Sequence, residues 1–131
     1  MYEIVEQYSF TATHQILGLE EGHPCVGVHS HRWVAEFVLT AAKLMPTDGP
    51  SEQVVLEPLR KYLAARLNGK HLNDLLSGAP TPARVAWHLA VWYQGNLAAH
   101  GPAALTAVVV SAGAGSRVRY TVPRAPAGAS G

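Results

Sequence analysis

The stretch Cys25-Val-Gly-Val-His29-Ser-His31-Arg-Trp33-Val-Ala35-Glu-Phe37-Val-Leu39-Thr-Ala-Ala42 decides how this chain folds. From about His31 to Ala42, Trp33, Ala35, Phe37 and Leu39 alternate with Arg32, Val34, Glu36 and Val38, the period of a strand with one face more apolar than the other. The same alternation puts the imidazoles of His29 and His31 on one side of an extended segment, a short reach apart. Upstream, residues 2 to 13 are rich in β-branched and aromatic types and read as a strand leading to His14. Run antiparallel beside the segment that starts near His29, that strand brings a third imidazole to the other two without distorting either backbone. Three neutral nitrogen ligands leave a zinc ion its full positive charge and an open fourth position, as in a catalytic rather than a structural site.

Residues 15 to 28, with their glycines and Pro24, read as a loop, and Met45-Pro-Thr-Asp-Gly-Pro-Ser51 breaks the second strand pattern. A helix fits from about Glu57 to Leu67, with Pro58 in its first turn, Leu59, Leu63 and Leu67 on one stripe, and Gly69 as its stop. Thr81 reads as an N-cap with Pro82 at the first helical position, opening a second helix to about Ala99 that His100-Gly-Pro closes. Leu105 to Ser111 and Arg117 to Val122 flank the turn Gly113-Ala-Gly-Ser116, a hairpin signal. The order strand, strand, helix, helix, strand, strand predicts an α+β domain: a four-stranded antiparallel sheet with both helices on one face. The other face keeps open edges, which closure into a barrel with further copies of the chain would remove.

A length of 131 residues with 48% hydrophobic content suits one domain, placed at 1–123, with 124–131 too poor in apolar residues to be anchored. Ten basic and nine acidic residues, scattered to a net +1, leave no electrostatic footprint for nucleic acid or an anionic membrane, so the expected partners are a small-molecule substrate and further copies of the chain. No apolar run approaches the length of a membrane span. One cysteine and a start, Met1-Tyr-Glu-Ile, without the sections of a secretion signal point to a reducing cytoplasm. A cupin-like metal site would require a glutamate together with a further strand-borne histidine after the H-x-H pair, and no such set follows Trp33.

Phe10-x-Ala12-x-His14, Cys25-x-x-x-His29-x-His31, Leu72-Asn-Asp74 and Pro80-Thr81 together resemble the family of 6-pyruvoyl-tetrahydropterin synthase and 6-carboxy-tetrahydropterin synthase, zinc enzymes of the tunnelling fold, over nearly the whole chain. The resemblance implies a hexamer of two stacked trimers, each a twelve-stranded barrel with helices outside and pockets at subunit junctions. It implies zinc held by His14, His29 and His31, with Cys25 in the place of a catalytic cysteine that moves a proton.

The chain departs from that pattern in three places. Aligned on Leu72-Asn73, the family's Asp-His pair falls on Asn68 and Gly69, which can neither orient an imidazole nor carry a proton. The glutamate that grips the amino-pyrimidinone edge of a pterin falls on Ala112. A buried polar edge left unpaired costs roughly 1 to 3 kcal/mol, so selectivity for pterins should drop. The helix opening reads Pro80-Thr-Pro-Ala83-Arg84 where the family tends to have Pro-Thr-x-Glu-Asn.

These losses around an intact ligand set predict a zinc-dependent lyase or cyclase acting on a non-pterin carbonyl substrate of specialised biosynthesis. Cys25 or His71, two positions beyond the missing histidine, would shuttle the proton. Two other readings stand beside it: a Pictet-Spengler-type condensation and cyclisation of an amine with an aldehyde, and a non-catalytic homologue that binds a ligand or partner. Other conspicuous residues have plainer readings. His23 reads as loop surface, His88 as helix packing, His100 as a helix C-terminal contact, and Trp87, Leu89 and Trp92 as core.

Overall fold

The alternating segment becomes β2, His29–Ala41, and the aromatic-rich start becomes β1, Tyr2–His14, in a computed structural model that describes residues 1–16, 27–42, 56–98, 103–113 and 115–123. The two strands pair antiparallel along their whole length, from Tyr2 opposite Ala41 to His14 opposite His29. β3, Ala104–Ala112, adds antiparallel to the far side of β2, and β4, Val118–Thr121, adds to β3, giving the spatial order β1-β2-β3-β4. Cys25, His23, His100, the break from Met45 to Ser51 and the tail 124–131 lie outside the described residues.

Alternation decides which face is covered. Phe10 and Ala12 of β1, Trp33, Ala35, Phe37 and Leu39 of β2, and Val108 and Val110 of β3 share one buried cluster. The opposite face carries Gln7, Ser9, Arg32 and Glu36, with Arg117 paired to Glu36 at 2.8 Å. One irregularity interrupts the ladder: Val38 faces Ala107 while Leu39 faces Leu105, so Thr106 is an extra residue on β3, and its hydroxyl donates to the Val38 carbonyl at 3.1 Å.

Between β2 and β3 the chain crosses the covered face twice. α1, Glu57–Tyr62, begins with Pro58 in its first turn and runs on as a π-helical stretch, Leu63–Leu67, closed by the Asn68 N–H on the Leu63 carbonyl at 2.9 Å. The predicted stripe of Leu59, Leu63 and Leu67 is buried, although the helix widens halfway along it. Gly69 follows at φ +75, the left-handed conformation that ends helices most cheaply at glycine. A 3-10 turn, Leu72–Asp74, leads to α2, Pro82–Asn96. Thr81 caps α2 as expected, its hydroxyl accepting from the Arg84 N–H at 3.2 Å.

α2 buries Val85, Ala86, Leu89, Ala90 and Tyr93. Trp87 falls outside that stripe and is exposed, with the Arg84 guanidinium 5.0 Å above its ring, which corrects its reading as core. Trp92 lies at the rim, stacked on Tyr62 of α1 at 4.2 Å. Tyr62 also hydrogen-bonds His88 at 2.8 Å, so the second helix is tied to the first by a polar contact as well as by rings. No helix among the described residues is long and apolar enough to cross a membrane.

Leu89 is wholly buried and Val91, on the same helix, half exposed. Urea denaturation should show Leu89→Ala losing about 2 to 5 kcal/mol and Val91→Ala within about 0.5 kcal/mol of the parent. Equal effects would mean that α2 docks by another face. Burial also pushes the pKa of His88 below the usual histidine value. The stability this group contributes is whole above about pH 6.5 and is lost as pH falls through its lowered folded value, because the unfolded chain takes up the proton more readily. Thermal melts of metal-free protein should therefore show His88→Gln losing less on acidification from pH 7.5 to about 5.5 than the parent. A parent and variant that fall in parallel would assign the titration to other groups.

Candidate metal centre

The register that ends with His14 opposite His29 places His14, His29 and His31 on the covered face of the sheet. Each imidazole offers one nitrogen, and the three lie within 4.8 Å of one another. Their ring centroids are 4.4 Å apart for His14 and His29, 4.6 Å for His29 and His31, and 5.1 Å for His14 and His31. Trp33 closes the inner side, its ring edge-on to His14 at 5.0 Å and its indole N–H donating to the Ala12 carbonyl at 3.2 Å.

Backbone carbonyls settle the tautomers. The Nδ1 of His14 lies 2.8 Å from the Pro80 carbonyl and that of His29 lies 2.6 Å from the Gly27 carbonyl. A carbonyl can only accept, so both Nδ1 atoms carry the proton, and in the neutral rings both Nε2 atoms present a lone pair. The Nε2 of His14 is buried with no hydrogen-bond partner. Left so, a buried polar atom costs roughly 1 to 3 kcal/mol, and a cation among the three nitrogens would relieve that cost.

Electrostatics favours the same state. Burial pushes His14 below the usual histidine value, with the neighbouring His29, His31 and His71 adding to the depression against a smaller opposing effect of the Pro80 carbonyl. Burial and then His29 act likewise on His31. Metal ligation requires neutral imidazole, so these shifts keep the rings in their binding form to lower pH. The donor set, three imidazole nitrogens with nothing else contributed by the described residues, fits zinc with a place left for a substrate.

The remaining singled-out residues among those described contact β1 and β2 away from the three imidazoles' nitrogens. His71 pairs in parallel with Thr13 and hydrogen-bonds its hydroxyl through Nδ1 at 2.9 Å. Successive side chains of a strand point to opposite faces, so this contact lies on the other side of β1 from the imidazole of His14. Asn68 accepts from the Thr11 N–H at 3.0 Å, and the Gly69 N–H donates to the Thr11 carbonyl at 2.6 Å. Ala112 lies opposite Trp33, and the next residue, Gly113 at φ +96, sits beside His31. Cys25 lies outside the described residues, so its position relative to the cluster is not part of this geometry. The carbonyls of Pro80 and Gly27 have no signature in a sequence, since every residue carries one.

Comparison with known proteins agrees with the architecture. The family model described as 6-pyruvoyl tetrahydropterin synthase matches residues 3–122. Among solved structures, the 6-pyruvoyl tetrahydropterin synthase of Caenorhabditis elegans superposes with a TM-score of 0.75 at 16% identity, covering 93% of this chain and 96% of that one. An uncharacterized protein of Wolinella succinogenes superposes at 0.74 with 13% identity, covering 92% and 97%. At these identities the two structures establish a common fold, and no curated sequence matches the chain. A family-model match over residues 3–122, a span that includes all four strands and both helices, makes this chain a member of the 6-pyruvoyl tetrahydropterin synthase family.

Proposed function

We propose that the chain is a zinc-dependent enzyme of the lyase or cyclase type that has moved away from pterins to another small carbonyl or hydroxy-carbonyl substrate. The observation that carries this reading is the buried, unpartnered Nε2 of His14 beside His29 and His31. His14, His29 and His31 would hold the ion, the Pro80 and Gly27 carbonyls keeping the first two in the binding tautomer. When bound, zinc supplies Lewis acidity at a substrate oxygen, worth several kcal/mol of developing charge.

The chain's own residues do the rest. Trp33 and the covered sheet face keep water from the inner side of the cluster. Cys25, by its place in the family pattern, takes the part of proton carrier, a task for which a thiol needs a lowered pKa. His71, held by Thr13 on the other face of β1, serves as the second proton carrier in a pocket at a junction between copies, in keeping with the hexamer that the family pattern implies.

The change of substrate rests on Asn68, Gly69 and Ala112. With Asn68 and Gly69 engaged to Thr11, neither occupies the family's relay in function. Ala112 has no group to grip a polar substrate edge, which removes roughly 1 to 3 kcal/mol of selectivity, a factor of about 5 to 150.

Metal analysis of purified protein should find one zinc per chain, lost in His29→Ala. A full zinc load in that variant would overturn the assignment of ligands. Supplied with dihydroneopterin triphosphate, the zinc-loaded protein should give no pterin product, yet in deuterated water it should exchange the α C–H of hydroxyacetone faster than His29→Ala does, followed by NMR. Efficient pterin turnover would defeat the argument from residues 68, 69 and 112. Exchange no faster than in the variant would favour a binding protein.

A further inference from the structure

β1 is an edge strand, yet its last third is not bare. Residues 68 to 73 run alongside it and are stitched to every second residue. Thr11 is held by the Asn68 side chain and the Gly69 N–H, Thr13 by the Lys70 carbonyl at 3.0 Å, and Gln15 by Asn73. The last stitch differs in kind. The Asn73 amide accepts from the Gln15 N–H at 2.8 Å and donates to the Gln15 carbonyl at 2.7 Å, so one side chain reproduces both hydrogen bonds that a neighbouring strand would offer.

Gln15 is the residue after His14. The β1–β2 ladder ends at His14, so beyond it the backbone has only Asn73 to hold it among the described residues. Asn73 is itself firmly placed: its neighbour Leu72 is fully buried, and the turn is closed by the Asp74, Leu75 and Leu76 N–H groups on the carbonyls of His71 and Leu72 at 3.0 Å. The amide thus transmits the position of the core to the backbone one residue from the buried ligand nitrogen. An imidazole on an untethered strand end would trade the 2.8 Å contact to Pro80 against its reach to His29 and His31.

We propose that Asn73 is a positioning residue for the metal centre, acting through the Gln15 backbone on His14; this rests on the three-histidine reading above. Losing partners outside the ligand set commonly weakens metal affinity by about 10- to 100-fold. Asn68 is the internal control. It makes one stitch to Thr11, three residues before His14 and inside the ladder, so its loss should touch stability and not the site.

The test compares the full-length parent, Asn73→Ala, Asn73→Asp and Asn68→Ala by zinc titration against a chromophoric chelator, by the visible absorption of the cobalt-loaded proteins, and by metal-free melting. Asn73→Ala should bind zinc at least about tenfold more weakly and give an altered cobalt spectrum. Asn73→Asp, which keeps the acceptor but not the donor, should fall between, and it carries the test should Asn73→Ala not fold. Asn68→Ala should melt lower than the parent with unchanged zinc affinity and spectrum. Zinc affinity in both Asn73 variants within twofold of the parent, or losses at 68 and 73 that simply track melting temperature, would overturn the proposal. A parent that binds no zinc would instead overturn the metal reading, and this inference with it.

Discussion

The antiparallel pairing of β1 with β2, in the register that sets His14 opposite His29, is the constraint on which the rest of this structure depends. A slip of one residue would turn every side chain of β1 to the other face, removing Phe10 and Ala12 from the core and His14 from its two partners together. Core and site are therefore specified by the same hydrogen bonds. The apolar alternation that buries Trp33, Ala35, Phe37 and Leu39 continues, without a break in phase, into His31 and His29. Polar ligands sit where the hydrophobic pattern runs out at the end of the sheet, half enclosed by the structure that the apolar residues build.

That continuity explains why so much could be read from the residues. Strict alternation in β2, the Thr81-Pro82 start of α2 and the glycines around residue 113 are local signals, each with a local physical cause that the fold keeps. What escaped the reading was set by neighbours distant in sequence. The π-helical widening at Leu63–Leu67 leaves the leucine spacing unaltered, so a stripe at intervals of four does not announce it. The extra residue Thr106 in β3 depends on how Val38 and Leu39 meet a strand some 65 residues away. Trp87 read as core because spacing alone does not say which of two apolar stripes wins, and Val85, Ala86, Leu89, Ala90 and Tyr93 cover the wider arc. At the site the ligands were legible and their supports were not: an accepting carbonyl from Pro80 or Gly27 is a property of backbone path.

Two effects act in the same direction on His14 and His31. Burial disfavours the charged form of a histidine, and clustering disfavours it again, so His14 and His31 are both driven toward neutrality. In the neutral form the Nε2 of His14 is a buried acceptor with no hydrogen-bond partner among the described residues. Neutrality thus avoids the cost of buried like charge, and a divalent cation is a partner that such an acceptor could take. Sites assembled for stability alone would be expected to spend that nitrogen on a donor. Here the nearest buried aromatic, Trp33, turns its indole N–H away to the Ala12 carbonyl.

Asn68 and Gly69 both serve the edge of β1. Asn68 contributes a carbonyl oxygen to a strand edge, and Gly69 contributes a left-handed turn that brings its own N–H to the same residue, Thr11. Any L side chain at 69 would be strained by that backbone, even though a Cβ there would meet nothing within 4 Å. An acid at 68 would still accept from Thr11, but an imidazole at 69 would have to unmake the turn to be placed. The left-handed backbone at residue 69 thus limits what that position can carry, whatever side chain stands at 68. Near the cluster itself, Ala112 opposite Trp33 and Gly113 beside His31 offer no polar side chain, whereas three imidazole nitrogens lie within 4.8 Å of one another.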